Sequence, residues 1–150
     1  MNPTVEKKQT LFPAVAAAIF NEQGEILLQR RRDVGQWGVI SGHVEFGETV
    51  ESAILREIRE ETNREAHIKR LIGVYSAPTS QTYHYPDRSV QYVTTYFEAQ
   101  LTEMISKDFS REETLELQFF KTDQLPDNLA MMNPHWLRDA LNQTSQVFIR

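Results

Sequence analysis

Residues 49–63 constrain the fold more than any other segment. Thr49 has the oxygen-bearing side chain that caps helix starts, Glu51 suits the positive end of a helix, and Ala53, Ile54 and Ile58 recur at helical spacing as far as Asn63. A helix with one apolar stripe needs a partner surface. Short apolar runs bounded by turn residues supply one: Ala14–Phe20 and Ile26–Gln29 read as buried strands joined by a hairpin turn at Asn21-Glu22-Gln23-Gly24. Ile68–Tyr75, Val90–Leu101 and Leu115–Lys121 read as further strands, and His135–Gln143, following Pro134, as a closing helix. The elements interleave without a regular βαβ rhythm, so the expected class is α+β, a mixed β-sheet with helices packed on it. At 150 residues one domain over 1–150 is expected.

Two segments break the pattern. Arg30–Gly47 is punctuated by Gly35, Gly38, Gly42 and Gly47, a loop in which backbone turns sharply or approaches something closely. Ser76–Ser89 is polar, contains proline and carries Tyr83, His84 and Tyr85, and is long enough for a binding loop. With Trp37, its aromatic residues can stack on a base or bond a ribose, and they equally suit half-buried packing with their polar ends wet.

Charge narrows the function classes. Sixteen basic against 21 acidic residues give a net charge of −5, which excludes a broad basic face for nucleic acid. It does not exclude small anions, because a bound metal ion is the largest local charge in its site. The absence of cysteine removes disulfide and thiolate chemistry. No apolar stretch approaches the ~20 residues needed to span a bilayer. Lys7 and Lys8 precede an apolar run, Leu11–Phe20, but Pro13 and the following turn give it the grammar of a strand and not of a leader. A soluble protein in the cytoplasm is the resulting expectation, and the apolar Leu11-Phe12 ahead of the first strand could seat a second subunit in a homodimer.

The chemistry concentrates between Gly42 and Glu61, in GHVEFGETVESAILREIREE. Residues three and four apart share a helix face, so Glu57 can converge with both Glu60 and Glu61, while Arg56 stands one turn before Glu60 and can brace it. Two carboxylates ~4 Å apart repel by about 4 kcal/mol at an effective dielectric near 20. A cation between them relieves this; Mg²⁺ or Mn²⁺ fits, as a hard ion that takes oxygen ligands and retains water and phosphate in its shell. The glutamates by themselves also suit a solvated acidic helix face. The joint pattern decides.

That pattern resembles the Nudix box, G-x5-E-x7-R-E-U-x-E-E-x-G-U with U apolar: Gly42, Glu48, Arg56, Glu57, Ile58, Glu60 and Glu61 all fall in place. Six single-identity matches at roughly 5–10% frequency each make an accidental match in this chain rarer than about one in 5,000. Asn63 and Arg64 stand where the box has glycine and an apolar residue, and Ile40 and Ser41 stand where proline and glycine are usual upstream. Asparagine tolerates the left-handed conformation that ends a helix.

The resemblance implies the Nudix fold, an α/β/α sandwich, and a pyrophosphohydrolase acting on phosphoric anhydrides of nucleotides with Mg²⁺. It implies Glu57 and Glu61 as metal ligands, Glu60 as a further ligand or proton acceptor, the Ser41 carbonyl as an additional ligand, Glu48 as an outer partner and Arg56 as an orienting group. Gly42 would bring backbone to the phosphate. In many relatives a glutamate from a later loop removes the proton, for which Glu112 and Glu113 are available. Pro78, fourteen residues past Arg64, resembles a mark of members that cleave ADP-ribose. A nucleotide sugar or a nucleoside triphosphate is equally open, and a non-catalytic nucleotide-sensing module is the alternative from another class.

Overall fold

The computed structural model describes residues 7–150. Its spine is β1 (Lys8–Ile19) running parallel to β7 (Arg88–Leu101), in register from Lys8 opposite Arg88 to Ile19 opposite Ala99. Around this pair a six-stranded mixed sheet is ordered β4-β1-β7-β5-β9, with β6 on β7; β4 is Ile40–His43, β5 Ala66–Tyr75, β6 Thr82–His84 and β9 Phe148–Ile149. A second sheet orders β3 (Trp37–Gly38), β2 (Ile26–Arg31) and β8 (Thr114–Phe120). Three helices complete the described residues: α1 (Val50–Thr62), α2 (Pro78–Gln81) and α3 (Trp136–Leu141).

The apolar run in β1 is continuous because both faces are covered. Val15, Ala17 and Ile19 pack with Ile54 and Ile58 of α1, whereas Ala16 and Ala18 pack with Tyr96, Ile72 and Trp136 on the α3 side. This is the α/β/α sandwich. Burying Ile54 and Ile58 fully contributes roughly 1.5–3 kcal/mol each and fixes the α1 polar face outward along one edge of the sheet.

Helix α1 begins as its sequence predicts. The Thr49 hydroxyl accepts from the Ser52 amide at 3.0 Å, and the Ser52 hydroxyl accepts from the Thr49 amide at 2.9 Å, a reciprocal cap. It ends at Asn63, which takes the left-handed conformation with φ 57 and ψ 32.

Several boundaries differ. β1 starts at Lys8 and not Ala14, because β7 offers a ladder partner for residues whose local sequence carries no strand pattern. The Asn21–Gly24 turn forms, with the Asn21 amide donating to Glu25 O at 3.0 Å, but its flanking strands share only the Phe20–Ile26 bridge before diverging into separate sheets. The glycine-rich loop contains β3 and β4, and the Ser76–Ser89 connection contains α2 and β6.

Candidate active site

Arg56 is the hub of the site. Its Nε and Nη2 donate to Glu48 Oε2 at 2.7 Å and Oε1 at 2.9 Å, a bidentate pair, and Nη2 also reaches His43 O at 3.0 Å. Nη1 donates to Glu57 Oε1 at 2.8 Å and to Glu60 Oε2 at 3.2 Å. Glu48, on the turn made by Gly47 (φ 88), also accepts the Glu45 amide at 2.9 Å. The Arg56 hydrogen bond, seconded by that amide, lowers the Glu48 carboxyl to about 2. One guanidinium therefore ties the loop before the helix to the carboxylates on it.

Glu57 and Glu61 lie one turn apart and are both buried, Glu61 to 5% exposure. Glu61 Oε2 is buried with no hydrogen-bond partner. Burial first, and then the neighbouring Glu57 charge, push the Glu61 carboxyl well above the usual carboxylate range. Glu57 is also raised by burial, against the opposing pull of Arg56. Gly42 of β4 faces this pair so closely that a Cβ there would overlap the Glu57 carboxylate. An orphaned anionic oxygen, a second carboxylate beside it and a cradle without side chain form a hard-oxygen donor set suited to a divalent cation.

Glu60 does not join them. The Arg56 guanidinium draws it to the outer side, where its side chain is 57% exposed. No three His, Asp or Glu side chains among the described residues are grouped as a metal cage. Sequence spacing allowed Glu57 to meet Glu60 and Glu61 alike; the guanidinium between Glu57 and Glu60 separates the two.

The pair opens into a cavity of about 600 Å³. Ser41, Gly42 and Glu113 share its acidic end with Glu57 and Glu61, and Glu113 is close enough to raise both carboxyls. Tyr83, Tyr85 and Tyr92 line another wall, with Tyr83 edge-on to Tyr92 at 5.7 Å and Phe12 stacked on His43 at 5.3 Å beside them. Arg31 also enters the cavity, held by Asp33 at 2.9 and 3.1 Å.

A model of the NUDIX domain matches residues 10–140. The chain belongs to the Nudix family. Among curated relatives it is 46% identical over 72 residues to an ADP-ribose pyrophosphatase of Methanocaldococcus jannaschii, covering 45% of this chain and 43% of that one. It is 31% identical over 118 residues to an NAD-capped RNA hydrolase, NudC, of Vibrio vulnificus, covering 77% and 41%. The matches thus span less than half the length of these relatives. The solved structure of a UDP-X diphosphatase superposes with a TM-score of 0.71 at 27% identity, covering 91% of this chain and 64% of that one.

Within this Nudix fold the other residues singled out by sequence separate cleanly. Tyr83 and Tyr85 line the cavity; Trp37 does not, being 7% exposed and packed edge-on against Phe120 at 5.0 Å in the core. His84 lies outside it and bonds Ser89 Oγ at 2.9 Å. Of the acidic pair before β8, Glu113 faces the cavity and Glu112 does not. Arg31, His43 and Tyr92 escaped notice in the sequence. Arg31 left one signal, its place in the run Arg30-Arg31-Arg32 that closes the apolar start of β2.

Proposed function

We propose that this chain is a divalent-metal-dependent Nudix pyrophosphohydrolase that cleaves the diphosphate linkage of a nucleoside diphosphate derivative, and that residues 1–150 act as one catalytic domain. The observation that carries the reading is the buried Glu57–Glu61 pair, with its unpartnered oxygen, at the acidic end of a cavity large enough for a nucleotide. Glu57, Glu61 and the Ser41 carbonyl would hold Mg²⁺ or Mn²⁺, with Glu60 joining only on leaving Arg56. Such a cation, when bound, neutralises phosphate charge and lowers the pKa of water.

The chain's own residues do the rest. Arg56 holds Glu57 and Glu48 in place, so the helix and its preceding loop present one rigid edge. Glu113 takes the proton of the attacking water, a role it suits better than Glu60 because it lines the cavity and Glu60 does not. Arg31 meets the phosphate charge that faces away from the carboxylates. Tyr83, Tyr85 and Tyr92 offer ring faces to the base and exclude water from it.

Three of the relatives support this substrate class. ADP-ribose, an NAD cap and a UDP derivative all contain a nucleoside diphosphate joined to a second group. Pro78, at the first turn of α2, keeps ADP-ribose among the leading candidates.

A panel of ADP-ribose, nucleotide sugars, dinucleotides and nucleoside triphosphates, incubated with Mg²⁺, Mn²⁺ or EDTA, tests this. Turnover should require the metal and fall at least ~100-fold in Glu61→Gln, about 2.7 kcal/mol of transition-state stabilisation. Tight binding of a nucleotide without turnover of any substrate would turn the reading to the sensing module.

A further inference from the structure

The two residues at which the box departs from its family pattern, Asn63 and Arg64, are both spent on one segment. That segment is Thr102–Glu113, the connection from β7 to β8, which lies outside both sheets. The Arg64 side chain, only 14% exposed, donates through Nε to Met104 O at 2.7 Å and through Nη2 to Ser106 Oγ at 3.1 Å. Its Nη1 reaches Asp108 Oδ2 at 3.1 Å and Asn63 O at 2.8 Å. Asn63 Nδ2 adds a bond to the same Asp108 Oδ2 at 3.2 Å, and Ser106 Oγ donates to Asp108 Oδ1 at 2.7 Å. A glycine and an apolar residue at positions 63 and 64 could make none of the bonds that the Asn63 and Arg64 side chains make.

The far end of the connection is fixed by a second arginine. The Arg32 amide donates to Glu113 O at 2.9 Å, and Arg32 Nε donates to Arg111 O at 2.9 Å. Glu113, the last residue of the connection, is the one that lines the cavity opposite Glu57 and Glu61. A guanidinium just past the end of α1 and another just past the end of β2 therefore each bind the segment that carries Glu113 into the cavity.

We propose that Arg64, with Asn63, and Arg32 are positioning residues that clamp the Thr102–Glu113 connection so that Glu113 is held in the cavity it shares with the Glu57–Glu61 pair. This rests on the reading of Glu113 as the proton acceptor. Free of its clamps, a connection of this length samples many conformations, and only a fraction of them set the carboxylate at the reacting water. The loss falls on kcat, because Glu113 acts on the water and not on the bound substrate. Lysine cannot replace Arg64, since a single ammonium does not span a carboxylate, a hydroxyl and two carbonyls as the planar fork does.

The experiment compares Arg64→Ala, Arg64→Lys, Arg32→Ala and Asp108→Asn, each in the wild-type and the Glu113→Gln background, by steady-state kinetics with hydrogen–deuterium exchange of residues 102–113. Arg64→Ala should lower kcat between about 5- and 50-fold with KM within about twofold, and should speed exchange in that segment alone. Arg64→Lys should not recover the rate, and Asp108→Asn, which leaves the helix exit intact, should reproduce the loss should Arg64→Ala prove unstable. In the Glu113→Gln background none of these changes should lower kcat further. Wild-type kcat in Arg64→Ala and Asp108→Asn, or losses that multiply with Glu113→Gln, overturn the clamp while leaving the base assignment standing. Wild-type kcat in Glu113→Gln overturns the base assignment and the clamp together.

Discussion

Gly42→Ala probes the cradle with one added methyl group. The Gly42 backbone is compatible with alanine, so the change introduces no conformational strain of its own, and a small gain from the unfolded state is expected. The cost falls on Glu57. A Cβ at residue 42 overlaps the Glu57 carboxylate carbon and one oxygen, and its distance to Oε2 is 2.6 Å against the 3.4 Å where ordinary contact begins. The carboxylate must retreat by at least the difference, 0.8 Å, and by more to clear its other atoms. Since a misplacement of about 1 Å at a reacting centre costs on the order of 100-fold, turnover should fall about 100-fold while the melting temperature moves by no more than a few degrees. Steady-state hydrolysis with Mg²⁺, alongside thermal unfolding, reads both quantities. Turnover within a factor of two of wild type would refute the placement of Glu57 against Gly42, and with it the cradle.

Other predictions concern the structure that carries the cavity wall. Asp139 is buried and accepts from Arg150 at 2.8 and 2.9 Å and from the Tyr75 hydroxyl; burial opposes its ionisation, but those donors outweigh it and hold the carboxyl below its ordinary value. Its stabilisation is therefore complete above pH 3.8 and lost as pH falls through the lower folded value, and Asp139→Asn should cost about 2 kcal/mol at neutral pH and flatten the acid limb of the unfolding curve. Gly73→Ala should strip β9 from β5, because a Cβ there overlaps the Phe148 carbonyl oxygen and meets its Cα at 3.2 Å, backbone that cannot rotate away. Its loss of stability, measured by urea unfolding, should be non-additive with Arg150→Ala, since both release the same strand.

Helix α1 was legible in advance because its signals are local: a capping residue, three- and four-residue spacing, and charges that belong on one face. The Nudix box was legible for the same reason. Non-local pairing was not. Nothing near Lys8 announces a strand, because its partner Arg88 lies eighty residues away. The turn at Asn21–Gly24 and the strands on either side of it are legible in the sequence, but their pairing is not, since a turn fixes the reversal and not which sheet each arm joins. Trp37 and Tyr83 look alike as cavity residues in sequence; only packing separates a ring buried against Phe120 from one edge-on to Tyr92 at the cavity. Glu60 illustrates a third limit. Helical spacing says which side chains can meet, and the hydrogen-bonding demand of Arg56 decides which do. Arg64, an exception to the box by its sequence, is bonded to four acceptors in the fold.

The central claim is that Glu57 and Glu61 form a cation site, and a Mg²⁺ titration followed by melting temperature, on wild type and Glu61→Gln, tests it most directly. Without metal, Glu61→Gln should melt above wild type, because the neutral amide removes a buried carboxylate that is repelled by Glu57 and has one oxygen without a hydrogen-bond partner. With Mg²⁺ at about 100 times its dissociation constant, wild type should gain about 2.7 kcal/mol, several degrees, and the variant almost nothing. Equal shifts in both proteins, or no shift in wild type at any Mg²⁺ concentration, would contradict the site.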